Sequence, residues 1–218
     1  MKYYVLKVVQ RHGVDAAIHR WSDNLQKTYR LKEGLSLIKE WPDNVILPVW
    51  KNEQGGLQLP EGTKINDCIH NSMSWLIINE KFKKILEENK AENLEFLPVK
   101  IKDHKGKILK DEYWIANFTK LEEAIDLKHT KGSRIMGGKI STIEILVLRK
   151  ELINSGHKIL RVKECTKLIL VREDLMEQIK KDGITIVEFI DTDKYATFPE
   201  LRGKTRNIKR PPRPPRKF

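Results

Sequence analysis

The side chains that could do chemistry in this sequence are histidines, cysteines and groups of carboxylates. The histidines are His12, His19, His70, His104, His129 and His157. No two of them stand three or four residues apart, the spacing that puts two metal ligands on one face of a helix. The two cysteines, Cys68 and Cys165, form no Cys-x-x-Cys motif, which excludes a zinc ribbon. We therefore expect no metal or other cofactor, and two reduced, buried thiols.

Two further motifs resemble catalytic sites but lack essential residues. Residues 131–139, KGSRIMGGK, suggest a phosphate-binding loop, yet Ser133 replaces a required glycine and Ile140 replaces the magnesium-binding hydroxyl. Asp191 and Asp193 flank Thr192, a pair that more often marks a solvated turn than an acid–base site. No Gly-x-Ser-x-Gly elbow is present. The sequence thus predicts a protein that is not an enzyme.

Several residues are instead candidates for contact with a partner. Trp41 and Trp50 lie near predicted turns, and tryptophan is enriched among the residues that dominate binding energy at interfaces. Trp75 and Trp114 lie in apolar runs, which favours the core. An acidic cluster surrounds the end of a predicted helix and consists of Glu87, Glu88, Glu92 and Glu95. It is either a solvated face or a surface that binds a basic partner.

The basic charge is concentrated at the C-terminus. The chain has a formal net charge of +12, and residues 201–218 contain eight basic side chains and no acid, among them Arg210, Arg213 and Arg216. The nearly balanced remainder argues against a folded nucleic-acid-binding domain. The proline–arginine segment 203–218 is expected to be disordered or extended. It either binds nucleic acid or an acidic groove, or serves only as a solubilising end.

Hydrophobic periodicity predicts an α+β fold, with a mixed, largely antiparallel sheet and a few short helices. Strands are predicted at residues 3–9, 27–31, 45–50, 94–101, 113–118, 143–148, 159–162, 168–171 and 184–190. Helices are predicted at 80–89 with Asn79 as N-cap, at 119–126 from a capping box of Thr119 and Glu122, and at 172–181. Residues 66–78 predict a short helix followed by a strand, and residues 130–141 a loop. Pro98 predicts an edge position or a bulge.

These elements predict one α+β domain over residues 1–200, with a possible subdivision near 100–140, followed by the tail 203–218. No apolar stretch approaches the ~20 residues of a membrane span. The first residues, MKYYVLKVVQRHG, are typical of a strand and not of a signal peptide. We therefore expect a cytoplasmic protein.

Blocks spread over residues 3–190 resemble a known family. They are Tyr3-Tyr4-Val5-Leu6, Asn66-Asp67-Cys68-Ile69, Glu95-Phe96-Leu97-Pro98-Val99, Tyr113-Trp114-Ile115-Ala116-Asn117, Ala124-Ile125-Asp126, Ile159-Leu160-Arg161-Val162, Val171-Arg172-Glu173-Asp174-Leu175 and Gly183-Ile184-Thr185. In their order and spacing, the chain resembles the immunity protein 11 family of bacterial polymorphic toxin systems. It departs from that pattern at Ile186, where the family often has a glycine, and in the proline–arginine tail.

The resemblance implies a protein that binds a toxin encoded next to it and neutralises that toxin, often a nuclease. It carries no catalytic residues with it. Inhibitors of basic nucleases commonly present acidic surfaces, whereas the body of this chain is slightly basic, so a local patch such as Glu87–Glu95 would have to meet such a toxin. The alternative is a nucleic-acid-associated protein that binds through its basic tail.

Overall fold

The structure is a computed structural model that describes residues 2–21, 23–49, 62–134, 139–153 and 155–198. Its strands are β1 Tyr3–Val8, β2 Ala17–Ile18, β3 Ile46–Pro48, β4 Cys68–Asn71, β5 Ile77–Asn79, β6 Leu94–Lys102, β7 Tyr113–Phe118, β8 Leu121–Glu122, β9 Lys131–Arg134, β10 Ile140–Ile145, β11 Ile159–Val162, β12 Ile169–Arg172 and β13 Val187–Asp191. The helices are α1 Glu80–Glu88, α2 Lys150–Ile153 and α3 Glu173–Lys181, with 3₁₀-helices at Thr28–Lys32, Ile38–Glu40 and Thr192–Lys194. The α+β prediction is confirmed.

The strands form two large mixed sheets and one two-stranded sheet. The first sheet has the order β13-β1-β12-β11-β8, and the second has the order β2-β4-β5-β7-β6-β3. Most neighbours are antiparallel; β8, β2 and β3 pair in parallel with β11, β4 and β6, respectively. The third sheet pairs β9 with β10. In the two large sheets, short connections join the consecutive antiparallel pairs β4–β5, β6–β7 and β11–β12, whereas β1 pairs with β12 and β13 from the far end of the chain.

Three apolar clusters fill the space on either side of the two large sheets. Side chains along β1 alternate between two of these clusters, because Tyr3 and Val5 belong to one and Leu6 belongs to the other. The cluster that contains Leu6 joins residues of both sheets to the apolar faces of α1 and α3. A further cluster lies between the six-stranded sheet and residues 23–45, which connect β2 to β3 and include Leu31, Leu37 and Val45. Residues 23–45 thus cover one face of that sheet and bring Trp41 to its edge.

The two longer helices form where local signals predict them. The side chain of Asn79 accepts a hydrogen bond from the backbone N–H of Phe82 at 3.1 Å, which confirms the N-cap of α1. Phe82, Ile85 and Leu86 are buried on one face of this helix. Helix α3 ends before Gly183, whose φ of +66° lies in the left-handed region that glycine adopts without strain.

Four predictions of local structure are wrong. Residues 27–31, predicted as a strand, fall largely in a 3₁₀-helix, whose N-cap residue Lys27 has a left-handed backbone conformation. Residues 66–69 form no helix, because Cys68 and Ile69 enter β4 and face opposite clusters. The helix predicted at 119–126 is replaced by β8, which pairs with Arg161 and Val162. The loop predicted at 130–141 contains β9 and the start of β10.

Other predictions are confirmed in detail. Strand β6 continues through Pro98, and β3 pairs with β6 only from Lys100 to Lys102, so Pro98 occupies an edge position. Cys68 and Cys165 are free thiols, and burial raises the pKa of both, but only Cys68 is buried, whereas Cys165 is half-buried. Trp75 is buried in the core as predicted, whereas Trp114 is only half-buried.

Candidate partner-binding surface

Trp41 lies at the surface beside the edge of β6. Its indole N–H donates a hydrogen bond of 2.9 Å to the carbonyl oxygen of Pro98, and its ring packs against the apolar cluster beneath residues 23–45. Because Pro98 lies where β3 no longer pairs with β6, its carbonyl is free to accept this bond. The tryptophan is therefore held in one orientation while part of its ring remains accessible. Such pre-organisation reduces the entropy lost on binding.

A groove of about 510 Å³ runs along one side of Trp41, between residues 38–45 and the β6–β7 connection. Ile38 and Ile108, which are 50% and 37% exposed, line it together with Pro42. A second groove of about 220 Å³ lies on the other side, and Trp41 and Pro42 line both. They thus form a ridge between two depressions. We call the apolar side chains of Ile38, Trp41, Pro42 and Ile108 the Trp41 surface.

Carboxylates surround the larger groove. Asp43, Asp111 and Glu112 line it, are exposed, and form no ion pair with another described residue. Two lysines also line it: the Lys100 ammonium donates to the Oδ1 of Asn44 at 2.8 Å, and Lys110 is exposed. Because a hydrogen bond to a neutral amide leaves the Lys100 charge in place, three carboxylates and two ammonium groups line this groove. The local excess is one negative charge, in a chain whose net charge is strongly positive.

The four glutamates of the predicted acidic cluster have different surroundings. Glu87 and Glu88 lie 3.5 and 3.9 Å from Lys83 and Lys84 one helical turn earlier, so their charges are partly neutralised. The carboxylate of Glu92 lies 3.6 Å from the His157 ring. Glu88 and Glu92 share one depression with Lys90 and Lys158.

Glu95 supports the fold. Its carboxylate accepts hydrogen bonds from the Leu37 amide at 2.6 Å, the Ser36 hydroxyl at 2.8 Å and the Asn117 side chain at 2.7 Å. It thereby fixes the chain just before Ile38 and Trp41. Trp50, Arg210, Arg213 and Arg216 lie outside the described residues, so their proposed roles in binding remain predictions.

The candidate chemical groups serve local structure. His129 lies 2.7 Å from Asp126, and His157 lies between Glu92 and Glu122. Asp191 forms an ion pair of 2.6 Å with Lys2 and accepts the Asp193 amide, as a turn residue does. Across the described ranges, no group of three histidine, cysteine, aspartate or glutamate residues is arranged to hold a metal ion.

Sequence reasoning missed several buried polar residues. Asp15 is fully buried and accepts hydrogen bonds from the Arg11 amide and guanidinium and from Asn66. Arg161, 1% exposed in β11, donates to the carbonyl oxygens of Ser74 and Thr166 and lies over the Phe118 ring. Burial lowers the pKa of this guanidinium to about 10. In the sequence, the buried position of Arg161 is indicated only by its place within the otherwise apolar run of residues 159–162, ILRV.

The described helices reach nine residues at most, and none is long and apolar enough to cross a membrane.

A family model matches most of the chain. The model of a family described as Immunity protein family (Imm11) matches residues 3–194, a range that contains every block on which the resemblance rests and excludes the tail. None of the curated proteins matches the chain significantly. Because the match covers far more than half of the 218 residues, the chain belongs to the Imm11 immunity protein family.

Proposed function

We propose that this protein binds a cognate bacterial toxin, encoded beside its own gene, and keeps that toxin inactive. The observation that carries the proposal is the family match over residues 3–194. The resemblance further favours a nuclease as the toxin and the cytoplasm as the place of action, because protection is needed where such a toxin would cut.

We infer that neutralisation works by docking and needs no bond-making chemistry on this chain. The contacts of two buried acids, Asp15 and Glu164, and of the half-buried Asp67 support this inference. Asp15 is bound to Arg11 and Asn66, Asp67 to Thr185, and Glu164 to the backbone amides of Ala124 and Ile125. Each of these carboxylates is engaged in connecting elements of the fold.

Co-expression tests the proposal. A strain that expresses the neighbouring toxin domain alone should stop growing, and co-expression of this chain should restore growth. The two purified proteins should form a stable complex that buries ~800 Å² or more on each partner. The control is a chain that belongs to the same family but is encoded beside a different toxin. Failure of both rescue and complex formation would rule out the proposed function.

A second candidate function rests on the tail. Residues 201–218 carry eight basic side chains and no acid, a composition suited to sequence-independent contact with phosphates. This candidate predicts nucleic-acid binding that weakens steeply with salt and disappears when residues 203–218 are removed. Binding that survives this truncation would eliminate it.

A further inference from the structure

We propose that the Trp41 surface is the contact site for the toxin, and that it receives a segment in which an apolar side chain lies beside a lysine or arginine. This inference rests on the proposed function and specifies where and by what chemistry the toxin is bound.

The first argument is the exposed apolar area. Ile38, 50% exposed, and Ile108, 37% exposed, both line the groove of about 510 Å³, beside the Trp41 ridge. Transfer of such side chains from water to an interface is favourable in proportion to the apolar area buried. The groove therefore suits one or two apolar side chains of a partner.

The second argument is the rigidity of the ridge. Trp41 is held by its hydrogen bond to Pro98, and the segment before it is held by the three hydrogen bonds to Glu95. A partner that binds here does not have to order the tryptophan first. Residues that dominate binding energy are commonly tryptophans in well-packed surroundings.

The third argument is charge, and it selects the occupant. Three carboxylates, Asp43, Asp111 and Glu112, line the groove and have no ion-pair partner among the described residues. Two ammonium groups line it as well, because the hydrogen bond from Lys100 to the neutral Asn44 amide leaves the lysine charge in place, and Lys110 is exposed. The local excess of one negative charge favours a lysine or arginine of the partner over an acid. A basic toxin can thus be recognised by a chain whose own net charge is positive.

The test compares matched substitutions in the full chain, with the purified toxin domain encoded beside its gene as the probe. Ile108→Lys removes apolar surface from the groove and adds a charge of the same sign as the proposed basic residue of the partner. Ile145→Lys is the control, because Ile145 is 39% exposed and lies in β10, outside the groove. Glu112→Lys reverses a rim charge, and Glu177→Lys does the same at an exposed position of α3.

We expect Ile108→Lys to weaken binding ~30-fold or more, because a dominant apolar contact is lost and a like charge is added. Glu112→Lys should slow association several-fold and reduce its dependence on salt. Both controls should bind within about 2-fold of the unchanged chain. Ile38→Lys repeats the apolar test at a second exposed position if Ile108→Lys does not fold, as judged by circular dichroism.

The outcomes separate the two proposals. If the unchanged chain binds and rescues but the groove variants bind equally well, the Trp41 surface is not the contact site, and the proposed function stands. If the groove and control variants lose binding alike, the site inference is also overturned. If the unchanged chain neither binds nor rescues, both proposals fail.

Discussion

Asp67 and Thr185 bind each other reciprocally, although they are 118 positions apart in the sequence. The Asp67 carboxylate accepts hydrogen bonds from the backbone amide and the hydroxyl of Thr185, both at 2.8 Å, and the Asp67 amide donates to the same hydroxyl at 3.2 Å. Asp67 also accepts a bond from Asn79, the N-cap of α1. The pair therefore ties the start of β4 to the approach to β13.

We predict that removing either partner of this pair destabilises the fold. Thr185→Val keeps the shape but loses the hydroxyl, and should lower the free energy of unfolding by about 1 kcal/mol; Asp67→Ala should cost ~1–3 kcal/mol, because several donors lose their acceptor. Urea denaturation of both single variants and the double variant measures the coupling. Thr63→Val, at an exposed position, is the control. Strictly additive losses would contradict a direct interaction.

Ile186 is predicted to be a strained position. Its φ is +55°, in the left-handed region that is unfavourable for β-branched residues. Ile186→Gly relieves strain of about 1–2 kcal/mol but loses partly buried apolar surface, so the net change in unfolding free energy should stay below about 1 kcal/mol. Ile184→Gly, at a buried neighbour, should cost ~2–5 kcal/mol. Equal losses at both positions in urea denaturation would refute the strain argument.

Asp15 should make the fold sensitive to acid. The hydrogen bonds from Arg11, assisted by Asn66, hold the pKa of this carboxyl well below its ordinary value of 3.8. A depressed pKa contributes stability that is fully present above 3.8 and is lost as the pH falls through the folded-state value. Asp15→Asn should therefore destabilise the protein most at neutral pH and progressively less below pH ~4. Thermal unfolding across this range measures the effect.

The control for this acid sensitivity is Asp23→Asn. Asp23 is exposed and forms no ion pair with another described residue, so its substitution should leave the pH dependence of unfolding nearly unchanged. An Asp15→Asn loss of equal size at every pH would show that the carboxylate charge makes no contribution.

Glu95 and Glu88 should respond differently to substitution, although both belong to the cluster predicted from sequence. Glu95→Ala removes the acceptor for Leu37, Ser36 and Asn117 and should cost ~1–3 kcal/mol. It should also loosen the segment that holds Trp41, which tryptophan fluorescence can report. Glu88→Ala should change stability by less than about 0.5 kcal/mol, because its ion pair is exposed. Equal effects would indicate that Glu95 is a surface residue.

The sequence alone determined the elements whose signals are local. Hydrophobic periodicity predicts the strands β7, β11 and β12 and the amphipathic helices α1 and α3, because their burial patterns are written in consecutive residues. Asn79 marks the start of α1, and Gly183 marks the end of α3. The sequence also identified Trp41 as a candidate contact residue, because a tryptophan in a proline-containing turn can be exposed to a partner. The family resemblance likewise depends on blocks that can be read directly.

Tertiary structure decided the rest. Thr119–Glu122 has the pattern of a helix start, but the parallel pairing of Leu121 and Glu122 with β11 stabilises a strand that no local signal announces. Glu95 and Glu88 look alike in the sequence, and only contacts with distant residues separate a structural acceptor from a surface charge. The Trp41 surface exists because β6 and its neighbours bring Ile108 close to Trp41 across 67 positions of sequence. Local propensity cannot encode such proximity, because it arises from packing free energy summed over the whole core.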